Sequence, residues 1–348
     1  MKTSFRLTGL AALAAGLLAT APAVAQELTI VSAGGAWQAA QRDAWYKPFA
    51  EKMGIKFNEQ ENSSTLALVQ AMVQAKNVTL DLVTVETATV LRGCDSGILQ
   101  RLDYKKITDR SKFLPGSALD CGMGLDVYGD VLAYDTTVLA NGPTSLLALF
   151  DTKTWPGKRG MRKVPQGNLE WALMADGVPI DQVYKVLATP QGVDRAFAKL
   201  DTIKNDIVWW QAGAQPPQFL ASKEVVMTTA YNGRIQNPID QEKKPFKIAW
   251  ENQIIEYDMI AIPKDAPHLD LAYKYLAYIA QPEINGKLGS FIPYGPVVKD
   301  AAKFVPPETL AKLPTAPEHM KSVLVADVEF WGDHGEDLTK RFNAWLAK

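Results

Sequence analysis

The chain alternates short apolar runs of strand length with longer stretches whose apolar residues recur every three to four positions. LTIVS (28–32) is the first run, and AGGAWQAAQRDAWYKPFAEKMG (33–54) follows as a helical stretch opened by a glycine pair and closed by Gly54. IKFNEQ (55–60) predicts a second strand, and SSTLALVQAMVQAK (63–76) a helix with a serine cap. LDLVTVE (80–86) predicts a third strand, which turns at TATVLRG (87–93) toward another helix. Strand and helix in regular alternation predict a parallel sheet covered by helices.

A second α/β region begins after Leu132. RGMRKVP (159–165) predicts a strand, NLEWALMADG (168–177) a helix ended by Gly177, and TPQGVDRAFAKLDTIK (189–204) another helix. IVWW (207–210) is a strand on which Trp209 and Trp210 must face opposite ways, one into the core and one toward a cleft. PPQFLASKE (216–224) predicts a helix with proline at its start. After the strand VVMTTA (225–230), Asn232–Gly233 is expected to form a turn that carries Tyr231 and Arg234 to the strand's end, where open α/β proteins hold their ligands. FKIAWENQIIEYDMIAIP (246–263) is long enough to cross between two lobes; two helical patterns follow in 268–289, and the chain is helical again from Asp327. A first lobe is therefore expected over 26–132 plus about 262–315, and a second over 133–261 plus about 316–348. Two crossings imply a hinge, and a hinge between α/β lobes implies a cleft.

Composition adds an address. Lys2 and Arg6 precede a small-apolar run from Leu7 to Ala21, and Ala23-Val24-Ala25 supplies a small-residue cleavage site, so 1–25 is expected to be a signal peptide and the mature chain periplasmic. The run is shorter than the roughly 20 residues a membrane span needs. The 348-residue chain carries 37 basic and 38 acidic residues, net −1, with no basic block, which gives no sign of a nucleic-acid partner. Cys94 and Cys121 are the only cysteines. In an exported chain a disulfide between them is favoured, with two separate thiols as the alternative. The three histidines show no metal-ligand spacing with them.

The chemistry of an enzyme is hard to find. No dinucleotide fingerprint, phosphate loop or nucleophile elbow is present. HGED (334–337) reads as a solvated helix start rather than a site. Binding without catalysis or cofactor is the better class.

The chain resembles the periplasmic substrate-binding proteins of ABC importers, in particular the spermidine/putrescine-binding group. The likeness is carried by TIVSAGGAWQ (29–38), LDLVTVETATV (80–90), VVMTTAYNGR (225–234), YDMIAIPKDAPH (257–268) and FIPYGPV (291–297). It implies a two-lobed α/β fold, each lobe a mostly parallel sheet covered by helices, with a ligand cleft at the hinge. It also implies a monomer that hands a small amine to a membrane permease. Matched position by position, Asp258 takes the place of the family carboxylate that receives a ligand ammonium, and Tyr231 that of an aromatic wall. Trp37 lies near another aromatic position, Glu86 and Thr87 match polar positions at the end of the third strand, and Glu170 aligns with a second acid. Three departures break the full polyamine set: Glu256 stands where tryptophan is usual, Gly167 where an acid is, and Ala88 where an aromatic is.

Arg234 decides between ligands. At about 5 Å from a ligand ammonium and an effective dielectric of about 20, an unpaired arginine opposes binding by roughly 3 kcal/mol, about two decades of affinity. Either an acid such as Glu170 or Glu86 neutralises Arg234, or it points out of the cleft, or it faces a ligand carboxylate, which its planar fork suits. The last reading is favoured: Arg234 and Asp258 would hold opposite ends of an ω-amino acid such as γ-aminobutyrate, with a polyamine as the alternative. Gln215, ahead of a helix, is a candidate amide partner to a ligand, and Tyr294, in the closing motif, is a similar candidate. A ferric-ion binder or a secreted enzyme on the same scaffold are more distant alternatives.

Overall fold

The structure, a computed structural model, describes residues 26–348 except 63 and 64. The signal-peptide segment and the serine cap of the helix expected over 63–76 lie outside the described residues. Strands β1 (Glu27–Ser32), β2 (Lys56–Glu61), β3 (Leu82–Glu86), β4 (Met123–Asp135), β5 (Arg159–Arg162), β6 (Ile207–Trp210), β7 (Met227–Tyr231) and β8 (Phe246–Ala261) form one path in the order β2-β1-β3-β8-β4-β7-β5-β6. Both flanks are parallel: β1 pairs with β2 and β3, and β5 with β6 and β7. Between them run β4 and β8, antiparallel to each other from Met123↔Ile260 to Asp135↔Phe246. One end of β8 continues the first flank through β3, and one end of β4 continues the second through β7. Two α/β lobes thus hang on one long two-stranded ribbon.

Strand β4 is the element the periodicity does not reveal. Its apolar residues do not alternate cleanly, because nearly every position is buried. A strand covered on both faces gives a continuous run rather than an alternating one. Two register shifts interrupt the ribbon, between Gly124 and Asp126 and between Asp130 and Leu132, and a bulge of this kind re-aims the side chains beside it.

Each lobe has its own core. Leu28, Ile30, Trp45, Phe49 and Leu82 pack with Met123, Leu125, Tyr275 and Leu276 around the first flank. Leu132, Met161, Leu169, Leu173 and Met227 pack with Phe330, Trp331, Phe342 and Trp345 around the second. The C-terminal helix (Val328–Leu346) begins with Asp327 accepting from the Phe330 N–H. HGED is therefore mid-helix, not a helix start; His334 lies against Phe330, with ring centres 4.8 Å apart.

The helical stretch from the first glycine pair runs as Gly35–Gln41, a π-helical turn Arg42–Tyr46 and Lys47–Met53, ended by Gly54 in the left-handed conformation. Asn232–Gly233 departs from expectation. It is the first turn of a helix, Asn232–Glu242, which starts directly after β7. The Asn232 side chain binds the Gly129 N–H at 2.9 Å and the Pro293 carbonyl at 2.7 Å, and these two bonds draw the chain into the helix rather than a hairpin turn. Cys94 and Cys121 form a disulfide with Cα atoms 5.6 Å apart.

Candidate functional site

A cleft of about 750 Å³ lies where the two flanks meet the ribbon. Its floor follows from strand register. Glu86 of β3 pairs with Asp258 of β8, and Asp258 pairs with Asp126 of β4. Residues directly opposite share a face of the sheet, so three carboxyl groups lie side by side. Two residues further along, Tyr128 pairs with Glu256, and beyond it Asp130 pairs with Tyr231 of β7. One sheet face therefore carries Glu86, Asp258, Asp126, Glu256 and Asp130 with two tyrosines.

The acids have unequal partners. The Trp37 indole N–H donates to Asp126 Oδ2 at 2.9 Å, while Asp126 Oδ1 is buried without a donor. Its neighbour there is Asp258, another carboxyl. Burial pushes Asp126 up to about 7 against the opposing Trp37 hydrogen bond and Arg234 charge. Burial, then the Asp126 charge, pushes Asp258 well above the usual carboxylate range. Side by side and buried, both carboxyl groups are held toward their neutral forms, and a cation placed between them would favour the ionised ones. Glu256 accepts from the Tyr128 hydroxyl at 3.0 Å and the Gln166 amide at 2.9 Å, and burial beside Glu86 raises it well above its ordinary value. Burial also pushes Asp130 up to about 7, against the Arg162 charge.

Two guanidinium groups face this floor. Arg162 Nη2 contacts Glu86 Oε1 at 2.7 Å. Arg234 has no carboxylate within ion-pair distance among the described residues. It is 5 % exposed, its Nε and Nη1 are buried without partners, and its Nη2 makes only a 3.5 Å contact with the Ala33 carbonyl. Its position is set by Gly35, where a Cβ would come within 2.4 Å of Arg234 Nη1. Arg234 also stands in the first turn of its helix, adding positive charge at the end where the macrodipole is already positive. A cation in that place is disfavoured by burial and by the dipole alike, unless an anion joins it.

The walls are aromatic. Tyr231 packs edge-on against Tyr128, with ring centres 5.2 Å apart, and against Trp210 at 5.5 Å. Trp37, Tyr231, Tyr294, Arg234, Asp258 and Glu86 all line the cleft. Trp210 is buried beneath Tyr231, and Trp209 points the other way, onto Phe342 and Trp345.

Three expected residues sit elsewhere. Glu170 is fully buried and is consumed by structure: it accepts from the Gly167 N–H at 2.8 Å, the Trp331 indole at 2.7 Å and the Tyr184 hydroxyl at 3.1 Å. It fastens its own helix start to the C-terminal helix, and burial raises it to about 7. Thr87 is buried at the start of the helix that follows β3 and donates to the Tyr257 carbonyl of β8 at 3.1 Å, and it does not line the cleft. Gln215 turns its amide oxygen back onto the N–H groups of Gln211 and Ala212, at 2.7 and 2.8 Å. It shapes the 211–213 loop that lines the cleft without lining it itself.

Asp126, Tyr128 and Asp130 come from β4 and Arg162 from β5, and sequence reasoning did not pick them out. Their signal is nonetheless in the chain: D-x-Y-x-D at strand period inside an otherwise apolar run (126–130) puts three polar groups on one face of a buried strand.

Over 330 residues the chain is 44% identical to the gamma-aminobutyric acid-binding protein of Pseudomonas aeruginosa, covering 95% of this chain and 94% of that one. Among solved structures, MotA from A. tumefaciens B6 in complex with glucopine superposes with a TM-score of 0.87 at 29% identity, covering 92% of this chain and all of that one. A solved GABA receptor superposes with a TM-score of 0.82 at 33% identity, covering 93% and 98% of the two chains. The model of the bacterial extracellular solute-binding protein family matches residues 44–318, and the chain belongs to that family.

Proposed function

We propose that this protein is the periplasmic receptor of an ABC importer and that it captures an ω-amino acid of the size of γ-aminobutyrate. Arg234 takes the ligand carboxylate, and Asp258 with Asp126 takes the ammonium. The observation that carries the reading is the Arg234 guanidinium, buried in the cleft with two nitrogens unpartnered. Neither acid named for silencing that charge reaches it: Glu170 is bound to Trp331, Tyr184 and Gly167, and Glu86 to Arg162. A bidentate ligand carboxylate satisfies the fork and its charge together. At the other end an ammonium lies against Asp126 and Asp258 and favours their ionised forms, with Tyr231, Tyr294 and Trp37 enclosing the methylene chain. The likeness to a gamma-aminobutyric acid-binding protein supports the same ligand class.

In this reading 1–25 is removed on export. One lobe comprises 26–132 plus about 262–315 and the other 133–261 plus about 316–348, and the β4–β8 ribbon is the hinge. Arg234 lies on the helix that follows β7, and its fork reaches the Ala33 carbonyl after β1. A ligand held between the two sides favours the closed form, and that differential contact lets a permease tell loaded from empty receptor. The protein acts as a monomer, without cofactor and without chemistry on its ligand.

Isothermal titration of ligand-stripped protein tests the reading. γ-Aminobutyrate is expected to bind at least about a hundredfold tighter than putrescine, since an unpaired Arg234 opposes a second ammonium by roughly 3 kcal/mol. Tighter binding of putrescine would reject the zwitterion assignment and favour the polyamine reading.

A further inference from the structure

Arg162 is not needed to hold the ligand described above, yet it occupies a prominent place in the cleft. It rises from β5 on one flank and meets Glu86 at the end of β3 on the other, with Nη2 and Oε1 2.7 Å apart. Its guanidinium carbon lies 5.6 Å from the centre of the Tyr231 ring and 6.0 Å from that of Trp210. A carboxylate below and aromatic rings alongside make the environment a guest ammonium would take. Both partners are partly open to the cleft, at 23 % and 27 % side-chain exposure, so the position is reachable from solution. Glu86 also stands directly beside Asp258 in the strand register. Two neighbouring carboxylates would thus hold the two ends of a short diamine, were one of them not already taken by the chain's own cation.

We propose that Arg162 sets the charge class of the ligand: its guanidinium permanently fills the second cation position of the cleft, on Glu86 against Tyr231, so that a solute with one ammonium is accepted and a diamine is refused. The inference rests on the zwitterion reading above and assigns a selectivity residue to it. Arg162 discriminates by occupancy and by repulsion at once, because a second ammonium arriving there meets a like charge and finds Glu86 already paired.

The test is a titration of wild type, Arg162→Met and the double variant Arg162→Met/Glu86→Gln with γ-aminobutyrate and with putrescine, each protein first shown to melt cooperatively. Methionine keeps an unbranched stem against Tyr231 and Trp210 while removing the charge. Putrescine affinity is expected to rise at least about tenfold in Arg162→Met and to fall back in the double variant, where the released carboxylate is gone. Arg162→Lys, which keeps a cation on Glu86, is expected to show no such gain, and Arg162→Gln replaces the methionine variant if that one does not fold. A folded variant lacking the charge that gains nothing for putrescine overturns the proposal, as does a gain that survives Glu86→Gln. If wild type prefers γ-aminobutyrate while the variant fails to gain putrescine, only the role of Arg162 falls. If wild type itself prefers putrescine, the zwitterion reading falls with it.

Discussion

Trp37 donates its indole N–H to Asp126 at 2.9 Å, so the helix that follows β1 holds a carboxyl belonging to the ribbon between the lobes. The bond fixes which Asp126 oxygen is free. Oδ1 remains buried without a partner, on a residue paired with Asp258 in the strand register. Trp37→Phe keeps an aromatic ring against the cleft and removes the donor, together with part of the indole's volume. Ligand affinity is expected to fall about ten- to a hundredfold, the range for a buried hydrogen bond to a charged group, with a thermal melt still cooperative. Calorimetry showing affinity within twofold of wild type would mean that Asp126 is held by other means.

Gly35 is the residue that lets the Arg234 fork approach. It has a φ of +59°, and a Cβ there would come within 2.4 Å of Nη1. The end of an arginine side chain moves more easily than backbone, so Gly35→Ala displaces the guanidinium rather than unfolding the protein. The left-handed backbone costs a side chain about 1 kcal/mol or somewhat more in stability. Ligand affinity is expected to drop more than about tenfold, because a bidentate contact tolerates little displacement. Calorimetry and a denaturation curve on the same variant separate the two effects.

An ammonium bound at the carboxyl floor would compete with protons there. With no ligand, burial holds Asp126 and Asp130 up to about 7 and Asp258 higher than its ordinary range. A ligand ammonium favours the ionised acids and expels a proton, so γ-aminobutyrate affinity is expected to rise from pH 5.5 toward pH 8. Proton release is read directly by titrating in two buffers of different ionisation enthalpy. For the free protein the linkage runs the other way. Acids with a folded-state pKa raised from 3.8 to about 7 bind more protons folded than unfolded, so stability declines as pH climbs through that window. The melting temperature of the free protein is therefore expected to be higher at pH 5 than at pH 8, with saturating ligand narrowing the gap.

The disulfide should be separable from function. Cys94 lies in the last turn of the helix Thr87–Asp95 and Cys121 just before β4, and neither lines the cleft. Replacing both by alanine is expected to lower stability by about 2–4 kcal/mol through the looser unfolded chain and the lost packing of a buried sulfur. Calorimetry is expected to find the affinity within about twofold of wild type, since a mutation away from the ligand and sharing no partner with it adds no coupling.

Much of the layout is legible in the sequence because its elements obey a single period. The strand and helix of 28–54, the helix closed by Gly177 and the long strand 246–261 all follow from spacing and end signals. Asp258, Tyr231 and Trp37 are legible through the resemblance and Arg234 through its place at the end of a strand, and all four reach one cleft. Strand β4 was not, because burial on both faces erases alternation, and with it went Asp126, Tyr128 and Asp130. Glu170 misleads for another reason. Three residues after Gly167 it is placed to reach back to the start of its own helix, and its remaining oxygen meets Trp331 from 161 residues away, a partner no local pattern reveals. Arg162 sits in a short strand segment, and nothing in RGMRKVP indicates that it will face Glu86 across the cleft.

The central claim is that Arg234 and Asp258 hold opposite ends of one solute. The most direct measurement is the affinity of wild type, Arg234→Met and Asp258→Asn for γ-aminobutyrate and for its two truncations, butylamine and butyrate. Arg234→Met is expected to weaken γ-aminobutyrate at least about a hundredfold, the scale of a buried charge pair broken on one side, while leaving butylamine unchanged or improved; Asp258→Asn is expected to weaken butylamine and spare butyrate. If Arg234→Met binds γ-aminobutyrate within twofold of wild type, the arginine holds no ligand carboxylate and the account is wrong.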